Sequence, residues 1–261
     1  MLFRRRPVWE SDLHVVMNHI RFFFVLAFAG YHLQAAEVRI AVAANFADAI
    51  VPLAAAFEKQ TGHRVVPAFG ATGKFYVQIK QGAPFEIFLA ADAKHPQLLE
   101  SENLALPGTR FTYATGKIAL WSPKPGYVDA AVKVLEAGGF KFIAIANPEV
   151  APYGRAAQEY LLARKLWDNL AGRVVMGQDI GQAYQFVSTG NAELGFVALS
   201  QLQSPDKKAP GSFYIVPQKY YQPLVQQAIQ IKAGAAAAQF LDFLKSAAAK
   251  QVIRTYGYEV R

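Results

Sequence analysis

The sequence predicts an α/β fold, and three observations carry that prediction. Short apolar runs of strand composition alternate with amphipathic stretches along most of the chain. Turns of small or hydroxyl residues separate them, at Ala43-Ala44-Asn45, Gly70-Ala71-Thr72-Gly73 and Pro152-Tyr153-Gly154. The 261 residues are 53% hydrophobic and 18% charged, enough for one large domain or two lobes with real cores.

Val38 to Ala43 reads as a buried first strand. Asn45 looks like an N-cap, and Asp48 three residues later completes a capping-box-like pair. The helix then carries Ile50, Leu53, Ala54 and Phe57 at helical spacing and stops near Gly62. Arg64 to Phe69 is a second strand, followed by a tight turn over Gly70 to Gly73 and a short helix from about Lys74 to Gly82. Phe85 to Ala90 is a third strand, and Asp92 opens the next turn. Further strands are predicted at Ile118 to Trp121, Phe142 to Ala146, Val174 to Val175, Leu194 to Ala198 and Phe213 to Val216. Helices are predicted over Val128 to Ala137, from Pro152 through Leu166, over Ile180 to Val187 and around Ala235 to Leu244.

The N-terminus has the order of a secretory signal. Arg21 precedes the apolar run Phe22 to Ala29, and the small residues Ala35 and Ala36 follow. That run is far shorter than the roughly 20 apolar residues a spanning helix needs. A signal over residues 1–35 is therefore expected, with cleavage after Ala35 or the neighbouring Ala36. Met1 to Val16 sits awkwardly before such a signal, which makes Met17 a second candidate start. Export to the periplasm follows, either with the signal removed or with it retained as an anchor.

The formal charge is +8; the first 35 residues carry +2 of it, leaving +6. A mild basic excess favours anions at long range without placing a site. No Lys/Arg-rich tract with interleaved aromatics appears, which argues against nucleic acid. The chain has no cysteine, which excludes disulfides, thiolate metal sites and a thiol nucleophile. Of the five histidines, only His63 and His95 follow the signal, and they lack a metal-binding spacing. No G-x-S-x-G elbow is present. Glu86 and Asp92 have no spacing that requires acid–base work. Neither a cofactor nor a direct metal-ion ligand is expected.

Three turns stand out as candidate sites, because ligands in open α/β sheets bind beyond the carboxyl ends of strands. Helix N-termini there offer unpaired N–H groups and partial positive charge, so several aimed at one cleft would hold an anion without lysine or arginine. Asn45 has two readings, a plain N-cap or an anion ligand. Gly70 to Lys74 fails the phosphate-loop pattern, since Ala68 stands where glycine is needed and Phe75 where Ser or Thr is needed. Thr72 is left with turn chemistry or anion binding. Tyr153 is a packing residue or a phenolic donor. Asp179-Ile180-Gly181 marks one more helix start.

An ordered set of motifs spans nearly all of residues 37–260. It comprises Ala43-Ala44-Asn45-Phe46, Phe69-Gly70-Ala71-Thr72-Gly73-Lys74, Gln81-Gly82-Ala83-Pro84 and Phe88-Leu89-Ala90-Ala91-Asp92. Asn147-Pro148, Ala151-Pro152-Tyr153-Gly154, Gly190 to Val197 and Tyr256-Gly257-Tyr258 complete it. In this set the chain resembles the periplasmic molybdate-binding proteins of ABC transporters, which have the class II solute-binding fold. The resemblance implies two lobes, each a mixed sheet flanked by helices, over residues 36–115 plus 218–261 and residues 116–217. It implies an oxyanion, molybdate or tungstate, in the cleft between them. Carried over by position, the contacts are Asn45 with the Ala44 backbone, Thr72 with the Ala71 backbone, Tyr153, and the Ile180 backbone. Some relatives carry serine where Asn45 and Thr72 stand, and tyrosine where this chain has Ala198. Tyr153 then supplies the phenol.

The implied partner is an inner-membrane ABC permease, and a monomer is expected. The competing readings are a binding protein for sulfate, phosphate or a small organic acid, a periplasmic enzyme on a related fold, and an interaction module whose cleft is filled by side chains.

Overall fold

The computed structural model describes residues 35–205 and 207–260. The expected secretory signal and the candidate start at Met17 lie outside these, apart from Ala35 at the expected cleavage point. Among the described residues no helix is long and apolar enough to cross a membrane.

Two five-stranded mixed sheets organise the chain. The first contains β1 (Glu37–Ala43), β2 (Arg64–Gly70), β3 (Ile87–Leu89), β4 (Phe111–Gly116) and β10 (Leu224–Gln230), in the order β2-β1-β3-β10-β4. The second contains β5 (Ile118–Ser122), β6 (Ile143–Ala146), β7 (Val174–Gly177), β8 (Leu194–Ala198) and β9 (Ser212–Ile215), in the order β7-β6-β8-β5-β9. Each sheet has a three-stranded parallel core, β2-β1-β3 or β7-β6-β8. Antiparallel strands finish one edge of each sheet, β10 and β4 in the first, β5 and β9 in the second.

Strand position explains strand composition. β6 and β8 are buried throughout, as expected for strands covered on both faces. Pro67 lies in β2, an edge strand, where its missing N–H costs no ladder bond.

Ten helices are described: α1 (Ala47–Thr61), α2 (Thr72–Lys80), α3 (Lys94–Ser101), α4 (Lys133–Ala137), α5 (Pro152–Ala163), α6 (Trp167–Leu170), α7 (Ile180–Ser188), α8 (Leu199–Leu202), α9 (Ala235–Lys245) and α10 (Ala247–Thr255). α1 ends where expected, on Gly62 at φ 75°, whose N–H bonds to the Glu58 carbonyl. The first sheet is packed on one face by Phe46, Leu53, Phe57 and Phe240, and on the other by Phe75, Ile79 and Leu99. The second is packed by Tyr160 and Leu161 on one face and by Trp121, Val187 and Leu202 on the other.

Several boundaries differ from the sequence expectation. Asn45 does not cap α1: a 3-10 turn over Ala44–Phe46 precedes it, and neither end of that turn carries a side-chain cap. Gly70 to Gly73 is not a tight turn, because Ala71 is extended and α2 already begins at Thr72. The helix expected over Val128 to Ala137 shrinks to α4, entered through Val132 at φ 56°. β4, α3 and α10 had no counterpart in the reading of the sequence.

Candidate functional site

The site grows from four equivalent points, the carboxyl ends of the first two parallel strands of each sheet. β1 runs into the Ala44–Phe46 turn and β2 into α2; β6 leads to α5 and β7 to α7. Their tips surround one hollow, lined by Ala43, Ala44 and Asn45, Gly70, Ala71 and Thr72, Ala91, Ala151, Pro152 and Tyr153, and Asp179 and Ile180. All six residues singled out by sequence, Ala44, Asn45, Ala71, Thr72, Tyr153 and Ile180, line it.

The hollow is small. Its empty volume, the open side included, is about 190 Å³. Sites for drug-sized ligands span roughly 300–1,000 Å³, so this one suits a ligand of a few heavy atoms.

No lysine, arginine or histidine lines it. Lys74, in the first turn of α2, extends instead to Gln178 Oε1 at 2.8 Å. Asp179 turns its carboxylate to its own helix, accepting from the Gln182 N–H at 3.0 Å.

The hydroxyls are arranged as donors. Thr72 Oγ1 accepts from the Ala91 N–H at 3.0 Å, so its proton is left for another acceptor. The Tyr153 oxygen accepts from Gln226 Nε2 at 3.0 Å, with the same result. Burial pushes the Tyr153 phenol well above the ordinary tyrosine value, so it stays protonated and able to donate. The first-turn N–H groups of α2, α5 and α7 add backbone donors and the positive ends of three helix dipoles. Two of these are used inside the protein: the Gly73 N–H bonds to the Val150 carbonyl at 2.9 Å, and the Gln182 N–H to Asp179 Oδ1 at 3.0 Å.

Asn45 contributes differently from expectation. Its Nδ2 donates to Gln226 Oε1 and to the Tyr258 hydroxyl, both at 2.9 Å. Both amide hydrogens are thereby spent inside the protein. What Asn45 presents to the hollow is its backbone.

Behind the hollow lies a buried polar network that the sequence reading did not find. Gln226, fully buried on β10, accepts from Asn45 and from the Tyr113 hydroxyl at 3.0 Å, and donates to Tyr153. Tyr258 donates to the Asn45 carbonyl at 2.7 Å, and Ser200 Oγ donates to the same carbonyl at 2.9 Å. Among the described residues no buried side-chain polar atom lacks a partner. One signal for Gln226 was present: it shares the inward phase of Leu224 and Ala228 in a strand.

No group of three acidic or histidine side chains among the described residues could hold a metal ion.

The family model for bacterial extracellular solute-binding proteins matches residues 38–259. The molybdate-binding protein ModA of Azotobacter vinelandii is 51% identical over 228 residues, covering 86% of this chain and 90% of that protein. The molybdate-binding protein ModA of Rhodobacter capsulatus is 48% identical over 227 residues, with 86% and 88% covered. The solved periplasmic molybdate-binding protein of Azotobacter vinelandii superposes with a TM-score of 0.83 at 44% identity, covering 86% of this chain and 99% of that one. With a matched segment that runs through both sheets and every residue of the hollow, the chain belongs to the bacterial extracellular solute-binding protein family.

Proposed function

We propose that this chain is the periplasmic solute-binding component of an ABC transporter and captures molybdate or tungstate in the hollow. One observation carries the reading: Thr72 and Tyr153 each accept an N–H from the protein, so each keeps its own proton to offer to an anion in one small space walled by helix starts. Donors without acceptors or cations suit a fully deprotonated tetrahedral dianion. The relatives named for molybdate support this choice of anion.

In this reading the contacts come from Thr72 Oγ1, the Tyr153 phenol, the Asn45 side of the Ala44–Phe46 turn, and the Ala44, Ala71 and Ile180 backbones. Each charge-assisted bond is worth about 1.5–3 kcal/mol. The lobes are residues 36–115 plus 218–261 and residues 116–217. They close over the anion and present it, as a monomer, to an inner-membrane permease. The chain performs no chemistry on the ligand, and needs no cofactor.

Calorimetric titration with molybdate, tungstate, sulfate and phosphate tests this. Molybdate and tungstate should bind tightly and raise the melting temperature by mass action, with sulfate and phosphate weaker. Equal or tighter binding of sulfate or phosphate would reassign the ligand, and turnover of any anion would reassign the class.

A further inference from the structure

We infer that Gln226 is the residue that aims the Tyr153 hydroxyl at the anion. The inference rests on the reading of Tyr153 as a ligand and concerns what orients it.

A phenol can donate in either in-plane direction, and a buried one donates to the best acceptor within reach. Gln226 removes that choice. Its Oε1 accepts from Asn45 Nδ2 at 2.9 Å and lies 3.0 Å from the Tyr113 hydroxyl, whose one proton also reaches the Ala90 carbonyl at 3.1 Å. The amide is thereby oriented with Nε2 toward Tyr153, 3.0 Å from its oxygen. A donor on that side leaves the phenolic proton only the other direction. The Tyr258 oxygen also lies within hydrogen-bond reach of Tyr153, but it already accepts from Asn45 Nδ2 and sends its own proton to the Asn45 carbonyl, so a doubly charged anion is the stronger acceptor for the Tyr153 proton.

The backbone makes room for this pair. A bulge between Gln226 and Gln227 shifts the pairing of β10 with β4, and Tyr113 is the extra residue on β4. Gln226 and Tyr113 thus both turn into the interior beside Asn45. Gly116 ends β4 at the same place. A Cβ there would overlap the Tyr153 hydroxyl and come within 2.6 Å of Gln226 Nε2. Gln226 belongs to the first sheet and Tyr153 to an element of the second, so the proton is aimed only when the two halves meet.

The test is a double-mutant cycle with molybdate as the probe, read by calorimetry on the whole chain. Q226M keeps the volume and removes the bond; Q226E keeps the Asn45 and Tyr113 bonds but accepts from Tyr153 instead of donating. Expected are a loss of affinity of tenfold or more for Q226M, a larger loss for Q226E, and less than a twofold further loss when Q226M is added to Y153F. Equal losses for Q226M with and without Y153F would overturn the inference, because a general packing defect lowers both alike. Wild-type affinity in Q226E would also overturn it, and Q226E decides the matter if Q226M does not fold. Failure of the underlying reading looks different: Y153F alone would then bind molybdate as the wild type does.

Discussion

The two halves of the molecule touch on both sides of the hollow, and the two contacts are built differently. At the back, by the crossing from β4 through Lys117 to β5, the link is many-sided. Asn45, Tyr113, Gln226 and Tyr258 from the first half meet Tyr153 and Ser200 from the second, every one buried. At the front, among the described residues, small apolar contacts such as Ala44 with Ile180 are joined by one backbone bond, Gly73 to Val150, and one exposed side-chain bond, Lys74 to Gln178. A buried network left half-satisfied is costly, whereas an exposed bond exchanges readily with water. In the proposed reading the back holds register and the front parts, as a cleft that loads and releases a ligand requires.

The largest effect should come from the hollow itself. Replacing Thr72 with Ala and Tyr153 with Phe together removes two charge-assisted bonds, about 3–6 kcal/mol in sum, and calorimetry should find molybdate affinity lowered at least a hundredfold. If the loss is below tenfold, backbone amides alone hold the anion.

Next is the back. Tyr258→Phe deletes one donor to the Asn45 carbonyl and leaves Asn45 Nδ2 short of an acceptor, so denaturant unfolding of the ligand-free chain should register about 1–3 kcal/mol of destabilisation. Lys74→Ala at the front, by contrast, should change stability by less than about 0.5 kcal/mol. Equal costs at the two places would erase the contrast between them.

Gly73→Ala sharpens the same comparison. Its Cβ would sit 3.1 Å from the Val150 Cα and carbonyl oxygen, tight enough to push the front apart. Weaker molybdate binding with an unchanged melting temperature for the free protein is expected.

Alkaline pH adds a slower erosion. Burial raises the phenols of Tyr113, Tyr153 and Tyr258 above their ordinary value. The folded state thus keeps protons that the unfolded chain releases near pH 10, and stability is full below that pH and falls above it. Thermal unfolding from pH 8 to 11 should show the fall, and Tyr258→Phe should make it shallower.

Much of this was legible in the sequence because the site is local. Ala44-Asn45, Ala71-Thr72, Pro152-Tyr153 and Asp179-Ile180 each join a strand to a helix, and the chemistry of helix starts needs no knowledge of the partner lobe. The unread part is non-local. Gln226 is 73 residues from Tyr153 and 181 from Asn45, and only the β10–β4 bulge brings them together. The Asn45 side chain was misjudged for the same reason: as an N-cap it would have bonded within its own turn, but Gln226 and Tyr258 outbid that local choice. β4 escaped notice because Thr112, Thr115 and Gly116 dilute its apolar alternation. The repeated 2-1-3 order of the parallel cores was also invisible, since the halves share connectivity without shared sequence.

The most direct measurement is a crystal structure of the chain grown with tungstate, read by anomalous scattering from the metal. The account predicts a single peak inside the hollow, with oxyanion oxygens in hydrogen-bond reach of Thr72 Oγ1, the Tyr153 hydroxyl and the Ile180 N–H. A peak beside lysine or arginine side chains, with the hollow vacant, would contradict it.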